Sequence, residues 1–334
     1  GVELPLRALF EAPTLAGLAR RVEQATRNSA LPELSAAPVG PRVPLSFAQQ
    51  RLWFIDQLQP DTATYNVPRL LRLRGPLDAS ALEHAFSELV RRHESLRTTF
   101  HEEAGDAFQL IAPPTPFHLS LVDLASHEDR KAEARRLASE EALRPFHLSA
   151  GPLLRALLLR LDSREHLLLL NLHHIVSDGW STGVLVRELS ALYRAFAAGQ
   201  PSPLPQLPLQ YAHYAVWQRS WLHGDSLDQQ LSWWRQHLQG APHALELPTD
   251  FSRPPVQSFA GSSLHFHFPS ELSQSLQSLA HQHGATLFMA LLASTHSLLA
   301  RYSGQDDIVV GSPIAGRRFA QLEGLIGFFV NTLA

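Results

Sequence analysis

A chain of 334 residues, 45% of them hydrophobic and 18% charged, is long enough for two domains or two lobes of one fold and can bury a substantial core. A formal net charge of −3, without a dense Lys/Arg block, argues against a nucleic-acid partner. Cysteine is absent, which excludes disulfides, cysteine–metal sites and a thiol nucleophile, and no apolar run approaches the roughly 20 residues of a transmembrane helix. We therefore expect a cytoplasmic protein with no membrane partner and no bound metal.

The N-terminal residues predict an appendage to the main fold. Residues 3–24 carry an apolar stripe at helical spacing, and residues 28–42 are rich in Pro, Gly and small side chains without periodicity, as in a linker. The chain begins at Gly1 without a methionine and ends at Ala334, directly after an apolar run. We expect it to be a piece of a longer protein.

Helical and strand-like patterns alternate from Val43 onward. Ser46 is a candidate N-cap for a helix through Leu58, and Asp78 is one for a helix over 78–93 whose apolar residues form one face. Further elements are predicted in this half as strands at 70–73, 97–100, 153–161 and 167–172, and as helices at 126–143 and from 181 to about 198.

A proline-rich crossing at 201–208 predicts a boundary between two lobes. Beyond it, the patterns predict an aromatic helical stretch at 209–239, helices at 270–283 and 286–302 that stop at Gly284 and Gly304, and strands at 264–268, 308–310 and 328–330. We expect the aromatic stretch to form core between the lobes and the apolar stripe at 287–302 to be core. The alternation predicts an α/β fold of two similar sandwiches.

The stretch His173–Ser181, with sequence HHIVSDGWS, is the strongest candidate for chemistry. The pattern predicts a strand that ends at the two histidines, a turn at Asp178-Gly179, and a helix. Side chains alternate along a strand, so His173 and His174 should face opposite sides. One can be held in the core while His174 acts as a general base near neutral pH.

Asp178 needs a partner if it is buried beside such a site, and an arginine fork is the usual one. The candidates by sequence are Arg51, Arg92, Arg97 and Arg317. Arg317 follows the glycine-bounded stretch 311–316 in the predicted second lobe, so its pairing with Asp178 would tie the two lobes together.

Two other kinds of site are less favoured by the pattern. Zinc binding by His173, His174 and Asp178 is weak because adjacent strand histidines diverge. A serine nucleophile at Ser177 or Ser181 lacks the Gly-x-Ser-x-Gly turn, and we expect Ser181 to cap the following helix.

These residues resemble a known family at five places in order. HHIVSDGWS resembles the HHxxxDG motif of condensation domains of nonribosomal peptide synthetases. Four further stretches resemble other motifs of that family: SFAQQRLWF at 46–54, RHESLRTTF at 92–100, YAVWQR at 214–219 and IGFFVNTLA at 326–334. The stretch at 6–23 resembles the end of a peptidyl carrier domain.

The resemblance implies a fold of two chloramphenicol-acetyltransferase-like αβ sandwich lobes arranged in a V, with a central tunnel and a truncated second lobe. It implies four parts of the chain: a carrier-domain remnant at 1–27, a linker at 28–43, an N-terminal lobe at 44–208 and an incomplete C-terminal lobe at 209–334.

The resemblance also implies a reaction. The α-amine of a downstream aminoacyl thioester attacks an upstream aminoacyl or peptidyl thioester, and a peptide bond forms. Both substrates are tethered to phosphopantetheine arms of carrier domains, an adenylation domain lies adjacent, and the domain itself holds no cofactor. A thioester is already activated, so no covalent protein nucleophile is required.

Roles carry over by position in the motifs. His174 matches the histidine proposed as general base or as positioning group, His173 and Asp178 match structural members, and Gly179 matches a glycine whose N–H lies near the reacting centre. The positions implied to line or support the tunnel are Trp180, Ser181, Arg317, Asn331 and Arg97.

The chain also departs from the family pattern. His213 stands where an aspartate is common, which we interpret as tolerated variation, and the chain stops just after Asn331-Thr332. The intact HHxxxDG disfavours heterocyclisation and the whole segment disfavours epimerisation. Gln59-Pro60-Asp61 and residues 175–178 favour a subtype that joins two L-residues.

Two other functions remain open at this level. One is a docking platform that binds carriers or a partner enzyme without catalysis. The other is an acyltransferase that uses a free acyl donor, against which the carrier-like stretch at 6–23 argues.

Overall fold

The computed structural model describes residues 12, 14–24, 32–36, 39–255 and 261–334. The chain forms two compact units: the first comprises residues up to Leu227 together with Gly316–Phe329, and the second comprises Asp228–Ala315 together with Val330–Ala334. The predicted carrier remnant at 1–27 and linker at 28–43 lie partly outside the described residues. The domain boundaries expected from the sequence stay predictions.

The described α-helices are α1 (Leu15–Gln24), α2 (Phe47–Leu58), α3 (Ala79–Arg92), α4 (Arg130–Leu143), α5 (Gly179–Ala197), α6 (Tyr211–Trp221), α7 (Gly224–His237), α8 (Ser270–Gln282) and α9 (Leu287–Ser303). The described strands are β1 (Val43–Pro44), β2 (Asn66–Arg74), β3 (Thr98–Glu103), β4 (Asp106–Ile111), β5 (Ser120–Asp123), β6 (Leu154–Asp162), β7 (Glu165–His173), β8 (Ser312–Ile314) and β9 (Asn331–Leu333). Short 3-10 helices cover Glu94–Arg97, His174–Val176 and Ala320–Leu322. None of the described helices combines the length and the hydropathy that a bilayer crossing requires.

A four-stranded sheet in the order β2-β7-β6-β5 forms the centre of the first unit. Strands β2, β7 and β6 pair antiparallel, with Asn66 opposite His173 and Leu154 opposite Leu172. Strand β5 pairs parallel with residues 157–160 of β6. Because β7 has a neighbour on each side, its end at His173 is held in register from both edges.

The side-chain alternation of β6 and β7 separates two apolar cores. Even-numbered residues such as Leu158 and Leu170 pack with α3 and α5, whereas odd-numbered ones such as Leu159 and Leu167 pack against α4. Both strands are therefore apolar on both faces, as buried central strands are. His173, an odd-numbered residue, lies on the α4 side of the sheet.

Helix ends follow the predicted capping residues in several places. The predicted caps Ser46 and Asp78 each accept a hydrogen bond from the backbone N–H three residues later, at 3.1 and 3.0 Å, and Thr286 does the same at 3.2 Å. Gly304 ends α9 in the left-handed region with φ of 69°, a conformation that favours glycine.

The structure corrects the strand predictions of the second half. Residues 264–268 and 308–310 form no strand, and the strand expected at 328–330 begins only at Asn331. Strand β8 instead starts at Ser312, opposite Leu333. Apolar alternation marks residues that can enter a sheet, but the available partner decides which of them pair.

Two expectations about buried helices are also corrected. The stripe of α9 is not core, since Phe288 is 60% exposed and Leu298 is 55% exposed. The aromatic stretch forms two helices: α6 is buried within the core of the first unit, beside Leu325 and Phe329, whereas α7 has no buried residue. Burial depends on what a helix packs against, which its own composition does not specify.

Candidate active site

The stretch His173–Ser181 forms a strand end, a turn and a helix start in the predicted order, but the turn lies at His174–Val176 and the helix already begins at Gly179, where the pattern predicted a turn. Strand β7 ends at His173, a 3-10 turn covers His174–Val176, and α5 begins at Gly179. His173 is 3% exposed, whereas His174 is half-buried. The expected asymmetry between a buried and an accessible histidine is present.

His173 is buried, which favours its neutral form. Burial, followed by the neighbouring His174, lowers the pKa of His173 to about 3. Its Nδ1 accepts a hydrogen bond from the N–H of Ile175 at 3.1 Å, and the rings of Tyr65 and Phe146 lie 6.2 and 6.1 Å from its ring. The residue anchors the turn that presents its neighbour.

The tautomer of His174 follows from the one described hydrogen bond of its ring. Its Nδ1 lies 2.6 Å from the carbonyl oxygen of Ser177. A carbonyl can only accept, so Nδ1 carries a proton, and in the neutral form of the ring the lone pair is on Nε2. Nε2 has no partner among the described residues, and the ring of Phe328 packs 4.8 Å away with an interplanar angle of 62°.

Asp178 caps α5 and pairs with Arg317. Its Oδ1 accepts from the N–H of Ser181 at 2.8 Å and from its hydroxyl at 2.7 Å, and Oδ2 accepts from the N–H of Phe329 at 3.1 Å. Nη2 of Arg317 lies 3.2 and 3.5 Å from the two carboxylate oxygens. The expectation that Ser181 caps the helix is wrong, because the longer reach of the Asp178 side chain places a carboxylate over the first turn.

Arg317 alone of the four candidate arginines pairs with Asp178. Arg92 binds Glu188, Arg97 binds Glu94 and the carbonyl of Ala112, and Arg51 is exposed. Both Asp178 and Arg317 belong to the first unit, so the pair lies within that unit.

The guanidinium of Arg317 is held on several sides. Nη1 donates to the carbonyls of Leu322 and Leu325, the latter at 2.8 Å, and the group lies 4.0 Å from the ring of Phe329. Its side chain is 2% exposed. Burial lowers the pKa of Arg317, and the charge of Asp178 opposes that shift.

The start of α5 offers unpaired backbone donors beside open space. The N–H groups of Gly179 and Trp180 precede the first intrahelical bond, from Thr182 to the carbonyl of Asp178 at 3.2 Å. A Cβ placed on Gly179 would meet no atom within 4 Å. Trp180 is 48% exposed, and its Nε1 donates to the carbonyl of Glu323 at 2.9 Å.

Two alternative kinds of site, a serine nucleophile and a metal site, were disfavoured by the sequence. The hydroxyl of Ser177 is buried without a hydrogen-bond partner, and Ser181 is fully buried against Asp178 and Arg317, so neither forms a serine–histidine pair. The described residues contain no group of three or more His, Cys, Asp or Glu side chains that could hold a metal.

Two predicted positions lie apart from these residues in the described contacts. Arg97 lines a cavity of about 600 Å³ whose described lining does not include the stretch 173–181. Asn331 is an exposed residue of β9 in the second unit, opposite Ile314. Their roles at a tunnel stay predictions.

The sequence did not single out three of the residues that hold the chain at 326–329. These are His93 and Ser95 after α3 and Tyr211 at the start of α6, all buried. The motif-like stretches around them were a signal that these regions matter, but no pattern within them indicates which backbone atoms they bind.

Comparisons with known proteins agree on one family. The family model described as Condensation domain matches residues 41–334. The chain is similar to a subunit of linear gramicidin synthase from Brevibacillus parabrevis, with 51% identity over 338 residues that cover 100% of this chain and 7% of that protein. It is also similar to malpibaldin synthetase of Mortierella alpina, with 46% identity over 342 residues that cover 100% of this chain and 6% of that protein. It thus spans a small part of the curated relatives that it matches.

Solved structures show the same fold. A complex of the X-domain and OxyB from teicoplanin biosynthesis matches with TM-score 0.81 and 31% identity, over 90% of this chain and 66% of that chain. The first condensation domain of the CDA synthetase matches with TM-score 0.72 and 26% identity, over 88% and 70%. The predicted α/β class is confirmed.

Proposed function

The chain belongs to the condensation-domain family of nonribosomal peptide synthetases, and on this premise we propose that it forms peptide bonds between carrier-bound substrates. The donor is an aminoacyl or peptidyl thioester, and the acceptor is the α-amine of an aminoacyl thioester, both of L-configuration. Each arrives on the phosphopantetheine arm of a carrier domain, and an adenylation domain neighbours the chain in a synthetase of the cytoplasm.

The observation that carries the proposal is the oriented imidazole of His174. With Nδ1 donating to the carbonyl of Ser177, the lone pair of Nε2 is available as a base. The amine nitrogen attacks the thioester carbonyl carbon, so that a C–N bond forms and the C–S bond breaks. His174 takes a proton from the attacking nitrogen and returns it to the departing thiolate.

The beginning of α5 supplies stabilisation for the charge that develops on the carbonyl oxygen. The N–H groups of Gly179 and Trp180 and the positive end of the helix favour an oxyanion there. Asp178 and Arg317 do not enter the chemistry in this scheme. They hold the first turn of α5 in place, and their opposite charges offset each other.

A reconstitution assay tests this function. A synthetase module that contains this sequence is combined with two loaded carriers, and the dipeptidyl thioester is measured by mass spectrometry. We expect His174→Ala to lower the rate by about 10²- to 10⁴-fold, the usual contribution of a positioned base. His127→Ala, at an exposed histidine before α4, is the matched control and should keep the wild-type rate. Wild-type rates in His174→Ala would exclude His174 as the base.

A docking platform is the second candidate. It is favoured by the likeness to the X-domain, a protein solved in complex with OxyB. Binding of a carrier or a partner enzyme by the wild-type module, without any dipeptidyl product under the same conditions, would support this function and reject the first.

A further inference from the structure

The segment Ile326–Phe329 is buried without belonging to a strand or a helix. Ile326, Phe328 and Phe329 are 1, 4 and 2% exposed, and Gly327 between them is buried as well. Buried backbone groups need partners, and here no neighbouring strand supplies them. Instead, each residue of the segment has at least one backbone group that is hydrogen-bonded to a side chain.

Five buried side chains bind the backbone of this segment. Ile326 donates to Nδ1 of His93 at 3.3 Å and accepts from Ser95 at 2.7 Å, and the hydroxyl oxygen of Ser181 accepts from the N–H of Gly327 at 3.1 Å. The hydroxyl of Tyr211 donates to the carbonyl of Phe328 at 2.5 Å, and Phe329 donates to Asp178 at 3.1 Å. We call these five side chains the clamp.

The clamp gathers distant parts of the chain. His93 and Ser95 lie in the stretch 92–100, Ser181 and Asp178 in 173–181, and Tyr211 at the start of α6. Each lies more than a hundred residues before the segment that it holds. The stretches that stand out in the sequence thus converge on one short piece of backbone.

Phe328 links the clamp to the candidate base. Its ring packs 4.8 Å from the ring of His174, whose only described side-chain hydrogen bond is the one from Nδ1. One hydrogen bond leaves an imidazole free to pivot about it. Contact with the Phe328 ring supplies the second restraint on the plane of His174.

Tyr211 is the clamp residue that acts on Phe328 itself. Because its single proton goes to the Phe328 carbonyl, its oxygen accepts from the hydroxyl of Ser46, 2.8 Å away. Burial raises the pKa of Tyr211 well above its ordinary value, so the hydroxyl remains a donor. The tyrosine ring also lies against Gly327, where an added Cβ would come within 2.0 Å of it.

We propose that Tyr211 is a positioning residue of the reaction, which sets the orientation of His174 by fixing Phe328. This inference rests on the proposed function of His174 as the base. It goes further by assigning a kinetic role to a tyrosine that has no described contact with the histidine.

Two variants separate this role from plain stabilisation. Tyr211→Phe removes two hydrogen bonds, the one to the Phe328 carbonyl and the one from Ser46. Ser46→Ala keeps the bond to Phe328 and removes the bond between Ser46 and Tyr211 and the side-chain cap of α2. We expect Tyr211→Phe to lower kcat by about 10- to 100-fold, the effect of a small misplacement of a catalytic group, with KM for the loaded carriers changed less than about twofold. Ser46→Ala should keep kcat within about twofold. Equal kcat values in the two variants, or a change confined to KM, would overturn the proposal.

A second readout does not depend on turnover. In protein with isotope-labelled histidine, the ring signals of His174, assigned by their loss in His174→Ala, should shift in Tyr211→Phe and stay in place in Ser46→Ala. The same His174 signals in both variants would reject the positioning role. Absence of dipeptidyl product from the wild type would reject the proposed function alone, and the spectra would still decide the role of Tyr211.

Discussion

Arg317 reaches both carboxylate oxygens of Asp178 with one guanidinium nitrogen, across 139 residues of sequence. Neither side chain has access to water, since they are 2 and 0% exposed. A buried ion pair adds little net stability over an apolar pair, but it makes each charge dependent on the other. The pair therefore fixes the segment of Arg317 against the start of α5.

We expect Asp178→Asn to destabilise the fold by about 3–5 kcal/mol, because it leaves the buried Arg317 without a counter-charge. Asparagine still accepts from the N–H of Ser181, so the helix cap is preserved. The measurement is the free energy of unfolding in urea. The control is Asp123→Asn, which breaks an exposed pair with Arg160 and should leave that free energy nearly unchanged. A similar small change in both variants would contradict the prediction.

His173 should make the free energy of unfolding depend on pH in the acidic range. The pKa of His173 is about 3 in the folded chain, against 6.5 for an unperturbed histidine. Between these limits the unfolded chain binds a proton that the folded chain does not. The contribution of His173 to the unfolding free energy is therefore unaffected by pH above 6.5 and falls as the pH falls below it. The slope for this one group is up to about 1.4 kcal/mol per pH unit. Unfolding free energies of the wild type and of His173→Gln, measured from about pH 7 to about pH 4, should diverge by this slope, and parallel curves would refute it.

Two glycines at the site should respond in opposite ways to alanine. The methyl group of Gly179→Ala would meet no atom within 4 Å, and the backbone there needs no positive φ, so the unfolding temperature should not change. The methyl group would occupy the open space beside α5, and we expect it to lower the rate of dipeptide formation. Gly327→Ala drives a methyl group into the ring of Tyr211 and should lower the unfolding temperature. A stable, fully active Gly179→Ala protein would mean that this space takes no substrate.

The ring of His93 makes two hydrogen bonds, and different substitutions can remove one and keep the other. Its Nε2 lies 2.8 Å from Glu188, and its Nδ1 accepts from Ile326. Asparagine has its polar atoms near the Nδ1 position and glutamine near the Nε2 position. If His93 serves the clamp, His93→Asn should keep a higher kcat than His93→Gln in the carrier assay. The reverse order would indicate that its bond to Glu188 matters more.

His213 should be exchangeable for aspartate, the residue that the resemblance implies at its position. Its Nδ1 accepts from the N–H of Gln210 at 2.9 Å, across the start of α6. A carboxylate can accept the same bond and suits the helix N-terminus. We expect His213→Asp to change the unfolding free energy by less than about 0.5 kcal/mol and His213→Leu to lower it by about 1 kcal/mol. Equal losses in the two variants would show that the bond contributes nothing.

Local patterns in the sequence determined much of the fold. The caps at Ser46 and Asp78 and the leucine-rich strands at 153–161 and 167–172 depend on residues within a few positions of each other, and the structure confirms them. Strands β4 and β5 were missed because their short, mixed sequences carry no clear alternation.

The tertiary structure alone decided what depends on distant partners. Four arginines were candidates for Asp178 by sequence, and packing brings to it Arg317, the one that the resemblance also places at the site. Likewise, nothing near Tyr211 indicates that its hydroxyl binds Phe328, 117 residues away. A sequence pattern reports how a residue relates to its neighbours along the chain, whereas hydrogen bonds between buried groups are set by which surfaces the fold places together.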